Sequence, residues 1–214
     1  MSPPYLEIFD KTRLATLAKF GKFPASIVLG GGSALCLQLG HRKSYDFDLF
    51  YSKPLTSKFF NLVKKVFGQN FEKLIDNQDQ LAILTKSGVE ITFLHYYYSA
   101  LFPLVFTQFI PLYSIKDIAL DKAHTIGRRG VWRDYVDLYF ILMRNYIDLK
   151  TILKLGKKKF GPAFAAKLFL EQLTYFGDIE DFTIEYVGKE YKPGKIQEYF
   201  RELVKNYLKD LKAA

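Results

Sequence analysis

The sequence predicts an α/β (α+β) chain: a front half of mixed strands and helices, then an all-helical back half, with the boundary near Ile110. Three observations carry this. From Asp46 to Tyr51, Phe47, Leu49 and Tyr51 fall on one side and Asp46, Asp48 and Phe50 on the other, the period of a strand. Gln80–Thr85 and Val89–Leu94 are strand-like runs joined by Lys86-Ser87-Gly88, a hairpin signal. Beyond Pro111 the apolar spacing lengthens to that of helices.

The elements follow in order. Pro3 and Pro4 precede a helical stretch to about Phe20, with Leu6, Phe9, Leu14, Leu17 and Phe20 as its apolar stripe. Ser26 to Leu29 reads as a short buried strand running straight into Gly30-Gly31-Gly32-Ser33. Ala34 to Leu39 suits a short helix closed by Gly40, and Lys58 to Phe67 a helix ending at Gly68. In the back half, Ser114 with Asp117 marks a helix start, running to about Ile126. Trp132, Tyr135, Val136, Tyr139, Leu142 and Met143 mark the next, and further helices are expected from about Asp148, from Pro162 to Tyr175 and from Gly194 to Leu211.

Composition narrows the function classes. A length of 214 residues with 49% hydrophobic and 25% charged residues excludes wholesale disorder. The net charge of +9 is spread over both halves, 12 cations against 8 anions up to Ile110 and 19 against 14 beyond, which favours polyanionic partners. One cysteine, Cys36, excludes an intramolecular disulfide and reads as core, and three histidines leave little for a zinc site. The start MSPPYLEIFDKT has no basic-then-apolar signal pattern, so a cytoplasmic protein is expected. Ile91 to Ile115 carries no Asp, Glu, Lys or Arg and is long enough to span a bilayer. Pro103, Pro111, Ser99, Thr107, Gln108 and four tyrosines interrupt it, so it reads as a buried strand followed by a packed loop or short helix, with no membrane partner.

The chemistry concentrates at the glycine turn and the strand after it. Three glycines between a strand and a helix serve unusual torsions or a close approach, and their N–H groups with the Ser33 hydroxyl can hold a phosphate oxygen. Simple helix packing uses the same turn. Asp46 and Asp48 share one face, so they repel unless a cation sits between them, and a hard divalent ion such as Mg²⁺ suits an all-oxygen pair. A solvated edge strand is the other reading.

The segment LGGGSALCLQLGHRKSYDFDLF resembles the nucleotidyltransferase superfamily signature, in which Gly-Ser precedes an Asp-x-Asp strand. More narrowly it resembles the AbiEii/AbiGii toxin family, with its His-Arg-x-Ser between the two. DIALDKAHTIGRRGVWRDYVDLYFIL is similar to that family's Lys-then-Arg-Asp-x-x-Asp-Leu block, and together the two segments cover Leu29 to Leu142. The resemblance implies a nucleotidyltransferase-type mixed sheet flanked by helices in residues 1–110 and a helical C-terminal domain in residues 111–214. It implies an Mg²⁺-dependent transfer of a nucleoside monophosphate from NTP to an acceptor hydroxyl, on RNA, with the tRNA 3′ end as one acceptor, in a toxin with a separately encoded antitoxin.

By the same resemblance Gly31, Gly32 and Ser33 bind the triphosphate, and Asp46 and Asp48 hold the metal. The family's third carboxylate falls on VEITFL, where Thr92 stands at the matching position and Glu90 shares its face two residues earlier. Lys122 has a case of its own: it lies inside the stripe of Ile115, Ile118, Ala119 and Ile126, so it must snorkel out or meet an anion, and the resemblance makes it a phosphate contact. Arg128, Arg129 and Arg133 add cationic donors, Arg128 as a nucleotide contact. Asp134 and Asp137 match Arg-Asp-x-x-Asp, and one of them orients Lys122 or meets the nucleotide; a plain Arg133–Asp137 helix pair is the other reading. The candidate catalytic set is thus Asp46, Asp48, Lys122, Asp134 and Glu90. His41 and Arg42 precede the acidic strand as substrate contacts or solvated loop residues. The lysines of LKLGKKKFGPAF and of the last helix read as solvated basic faces or as an RNA backbone surface. Two alternatives stand beside the transferase: a degenerate nucleotide- or nucleic-acid-binding module, motivated by Thr92, and a small-molecule nucleotidyltransferase.

Overall fold

A computed structural model describes residues 4–213; Pro3, one of the two prolines expected to open the first helix, lies outside them. The chain divides into two compact units, the first ending at Ser114 and the second beginning at Ile115.

The first unit is built on a five-stranded mixed sheet in the order β1-β2-β5-β4-β3. These strands are β1 (Ile27–Leu29), β2 (Phe47–Tyr51), β3 (Phe71–Asp76), β4 (Gln80–Thr85) and β5 (Glu90–His95). Only β2 and β5 run parallel. The helices are α1 (Lys11–Lys19), α2 (Gly31–Leu39) and α3 (Ser57–Phe67). The first helical stretch is broken rather than continuous: a 3-10 turn covers Leu6–Ile8, and α1 starts afresh where the Asp10 carboxylate accepts from the Arg13 N–H. The alternation expected around Phe47 is a burial pattern. Phe47 and Leu49 are fully buried, together with Ile27, Leu29, Leu81, Ile83, Ile91 and Phe93 on the same side of the sheet. That side carries an aromatic cluster in which Phe20 meets Phe47 edge-on at 5.0 Å and Phe23 and Phe59 meet Phe93 at 5.6 and 5.3 Å. Each such ring is worth about 2–3 kcal/mol in burial alone. The other side carries Asp48 and Thr92, both half-exposed.

Strand β3 was not foreseen. It is an edge strand with a register shift between Lys73 and Ile75, and Glu72 to Asp76 are all exposed, so no apolar alternation announces it. The uncharged stretch from Ile91 resolves into β5 and a loop without a helix, tied by the bridges Val105–Leu112 and Leu29–Leu112. Among the described residues no helix is long and apolar enough to cross a membrane.

The second unit is helical: α4 (Ile115–Ile126), α5 (Trp132–Met143), α6 (Leu149–Phe160), α7 (Ala166–Gln172) and α8 (Pro193–Ala213). The stretch from Pro162 is shorter than expected, a 3-10 turn at Gly161–Ala163 followed by α7. The fully buried Tyr135 on α5 anchors the core, packing on Trp132, Phe176 and Phe200.

Candidate active site

In the first unit the structure brings the glycine turn onto the acidic strand. Helix α2 starts at Gly31, three residues earlier than expected, so the glycines form its first turn. Their N–H groups are therefore among those that no helical carbonyl satisfies, and they carry the positive end of the helix dipole. The Gly30 N–H donates to the Asp48 carbonyl at 2.9 Å, fixing the turn to β2. Gly31 has φ +60°, and a Cβ there would run into the Asp48 carboxylate. Only glycine allows both the torsion and the closeness.

Ser33 is buried, and its hydroxyl has a bracing role the sequence did not suggest. It donates to the main-chain carbonyl of Asp46 and is hydrogen-bonded to Ser44 Oγ at 2.9 Å. Arg13 adds a second brace, its Nε donating to the Tyr45 carbonyl at 2.8 Å. Asp46 stands one residue ahead of β2, half-exposed like Asp48. The loop that presents it is thus pinned from two sides before any ligand arrives.

His41 and Arg42 are not solvated: they are 1% and 5% exposed. Arg42 lies under the turn, where a Cβ on Gly32 would meet its Nη2 at 2.6 Å, and its Nη1 donates to the Lys43 carbonyl at 2.9 Å. Arg42 thus sets a fixed cation beside the N–H groups of the glycine turn. Ser44 and Arg42 were legible only as part of a motif, with no physical signal of their own. On β5, Thr92 is the register partner of Asp48. Glu90, exposed, is on the same face two positions earlier, roughly 7 Å along the strand.

In the second unit, Lys122 meets anions rather than solvent. Its Nζ lies 2.6 Å from Asp134 Oδ1 and 2.7 Å from Asp137 Oδ2, and the three side chains are 10%, 7% and 0% exposed. Asp134 Oδ2 is buried without a hydrogen-bond partner, and Arg129 Nη2 stands 3.9 Å from it. Arg128 is exposed and reaches the Ala163 carbonyl at 3.4 Å. Burial, with Asp178 and Asp134 nearby, pushes the Tyr135 hydroxyl above its ordinary value, and it donates to the Gln172 carbonyl.

A second cluster of the same kind was missed. Lys159, within the run expected to be a solvated basic face, has a fully buried side chain, with Nζ 2.7 Å from Asp121 Oδ1 and 3.3 Å from Asp117 Oδ1. Asp117, expected as a first-turn acid, is fully buried. The available signal was position: Lys159 continues the buried stripe of Ile152 and Gly156. Beside it the His124 ring stacks on Phe160 at 4.2 Å, and burial, with Arg128 and Lys159 nearby, lowers its pKa to about 4.

The profile described as "Nucleotidyl transferase AbiEii toxin, Type IV TA system" matches residues 14–211. The chain belongs to this family. A protein of Aquifex aeolicus (strain VF5) is 30% identical over 186 residues, 85% of this chain and 88% of that one. Among solved structures, MenT4, a nucleotidyltransferase toxin of Mycobacterium tuberculosis H37Rv, is similar in fold with a TM-score of 0.63. It is 16% identical, over 89% of this AbiEii-family chain and 80% of its own. JHP933 from Helicobacter pylori is similar with a TM-score of 0.57 and 15% identity, over 98% and 95% of the two chains.

Proposed function

We propose that this AbiEii-family protein is a divalent-metal-dependent nucleotidyltransferase that moves a nucleoside monophosphate from an NTP to an acceptor hydroxyl on RNA, as the toxin of a toxin–antitoxin pair. The observation that carries it is the convergence of the glycine turn with Asp46 and Asp48: the N–H groups of the first turn of α2, from Gly31 on, beside two half-exposed carboxylates. An all-oxygen donor pair suits Mg²⁺, and the missing side chain at Gly31 lets the Asp48 carboxylate lie directly against the glycine main chain. Asp46 and Asp48 would hold the ion. When bound, it neutralises phosphate charge and favours in-line displacement.

The chain's own residues supply positioning. The N–H groups of Gly31 and Gly32 and the first turn of α2 receive phosphate oxygens, with Arg42 behind them. Ser33 supports this by holding the Asp46 main chain. The acceptor hydroxyl attacks the α-phosphorus, the new P–O bond forms as that to pyrophosphate breaks, and the hydroxyl proton passes to a site carboxylate, with Glu90 as the candidate on β5. In this reading Lys122 and Arg128 contact phosphate, with Asp134 and Asp137, both on Lys122 Nζ, orienting that lysine. The tRNA 3′ end is one acceptor this reading admits.

The test is incubation with each labelled NTP, total tRNA and Mg²⁺. Labelled RNA from the native protein and none from Asp46→Ala is the expected result; no labelled RNA under any pairing contradicts it. Thr92 beside Asp48 favours a second reading, a relative that binds nucleotide without transferring it. Nucleotide binding with no turnover, unchanged in Asp48→Ala, would establish that reading.

A further inference from the structure

The end of α8 is built to meet something. Ile196, Phe200 and Val204 seat the helix, but from Lys205 to Ala213 no described residue is buried. Leu208 and Leu211 are 46% and 58% exposed. Three residues apart, the two leucines fall on one side of the helix and form a small exposed apolar patch. Beside them runs a groove of about 490 Å³ between α8 and Thr174, floored by Val204 and Leu208 and edged by Arg201, Lys205, Lys209 and Lys212. These positions recur every three or four residues over roughly 16 Å of helix, so the groove has one apolar stripe and one cationic flank. Arg201 is held in place over the Phe176 ring at 5.3 Å.

We propose that this groove docks an acidic amphipathic helix of a partner protein, its leucine-type side chains on Val204 and Leu208 and its carboxylates along Arg201, Lys205 and Lys209. Charge complementarity selects that occupant. Four cations on the groove's edge repel a second copy presenting the same face. The aliphatic floor offers no aromatic ring for base stacking, which argues against RNA.

The test uses the whole protein and a fluorescein-labelled helical peptide with a leucine stripe flanked by glutamates, read by anisotropy. The peptide is expected to bind, to weaken as salt rises, and to lose about tenfold or more in affinity against K205E/K209E/K212E. Leu208→Ser is expected to weaken it too, at unchanged charge. If the triple variant fails to fold by circular dichroism, Lys209→Glu alone gives the same reading with a smaller loss. Equal binding of a peptide with glutamine in place of glutamate, or no peptide binding, overturns the proposal. So does single-stranded RNA, an anionic phosphatidylserine vesicle or a second copy of the chain occupying the groove in a manner lost in K205E/K209E/K212E.

Discussion

The two units hold their carboxylates in opposite ways. In the first, Asp46 and Asp48 are half-exposed at the start of a strand, pressed against glycine main chain. In the second, Asp117, Asp134 and Asp137 are buried and Asp121 is half-buried, each within 3.3 Å of a lysine ammonium on a neighbouring helix. The first arrangement sets half-exposed acidic side chains against the N–H groups of Gly31 and Gly32, where an incoming phosphate and cation can meet both. The second buries its carboxylates against lysine ammonium groups. A buried ion pair is weak evidence of chemistry, because desolvation and attraction nearly cancel and such pairs serve structure as readily. The two lysines differ in exposure: Lys159 is sealed from solvent, whereas Lys122 keeps 10%.

The largest expected effect separates those lysines. Lys159→Met should cost about 3–5 kcal/mol of stability, read as a lowered Tm, because two carboxylates lose their ammonium. Its transfer rate per folded molecule should stay near the native value. Lys122→Met should lower that rate about 100-fold beyond any loss of folded protein, as expected when a charge that meets the reacting phosphates is removed. If both variants keep the native rate, the two clusters are alike and structural.

A second pair tests the first unit. Gly88, in the β4–β5 turn, has φ +76° with open space around it, and Gly31 has φ +60° against Asp48. Gly88→Ala should cost about 1–2 kcal/mol in Tm-derived stability and leave transfer intact. Gly31→Ala should pay the same torsional cost and lose transfer as well, since the new methyl displaces the carboxylate. Equal activity in the two would mean the closeness at Gly31 serves packing alone.

These outcomes bear on what the sequence made legible. The hairpin of β4 and β5 was readable because Gly88 marks its turn, and the glycine turn because three glycines between a strand and a helix have few uses. Edge strand β3 was not, since solvent on both faces removes the alternation that betrays a strand. Lys122 stood out as one charge in an apolar stripe, whereas Lys159 hid in a run of three lysines. The Arg42 contact with Gly32 and the Ser33–Asp46 brace join residues 10 and 13 positions apart across a loop, which no helix or strand period records.

The smallest expected effect is on pH. The His124 pKa falls from 6.5 to about 4 on folding, so between those values the unfolded chain binds the extra proton. Stability should therefore fall as pH drops from about 6.5 toward 4. Thermal melts of His124→Phe over the same range should show a shallower slope than the native protein, and equal slopes would discount this group.

The most direct test of the central claim is a crystal structure with Mg²⁺ and a non-hydrolysable NTP. The account predicts a cation on the carboxylate oxygens of Asp46 and Asp48, with phosphate oxygens on the N–H groups of Gly31 and Gly32. A triphosphate bound elsewhere, or an ion held without either aspartate, would contradict it.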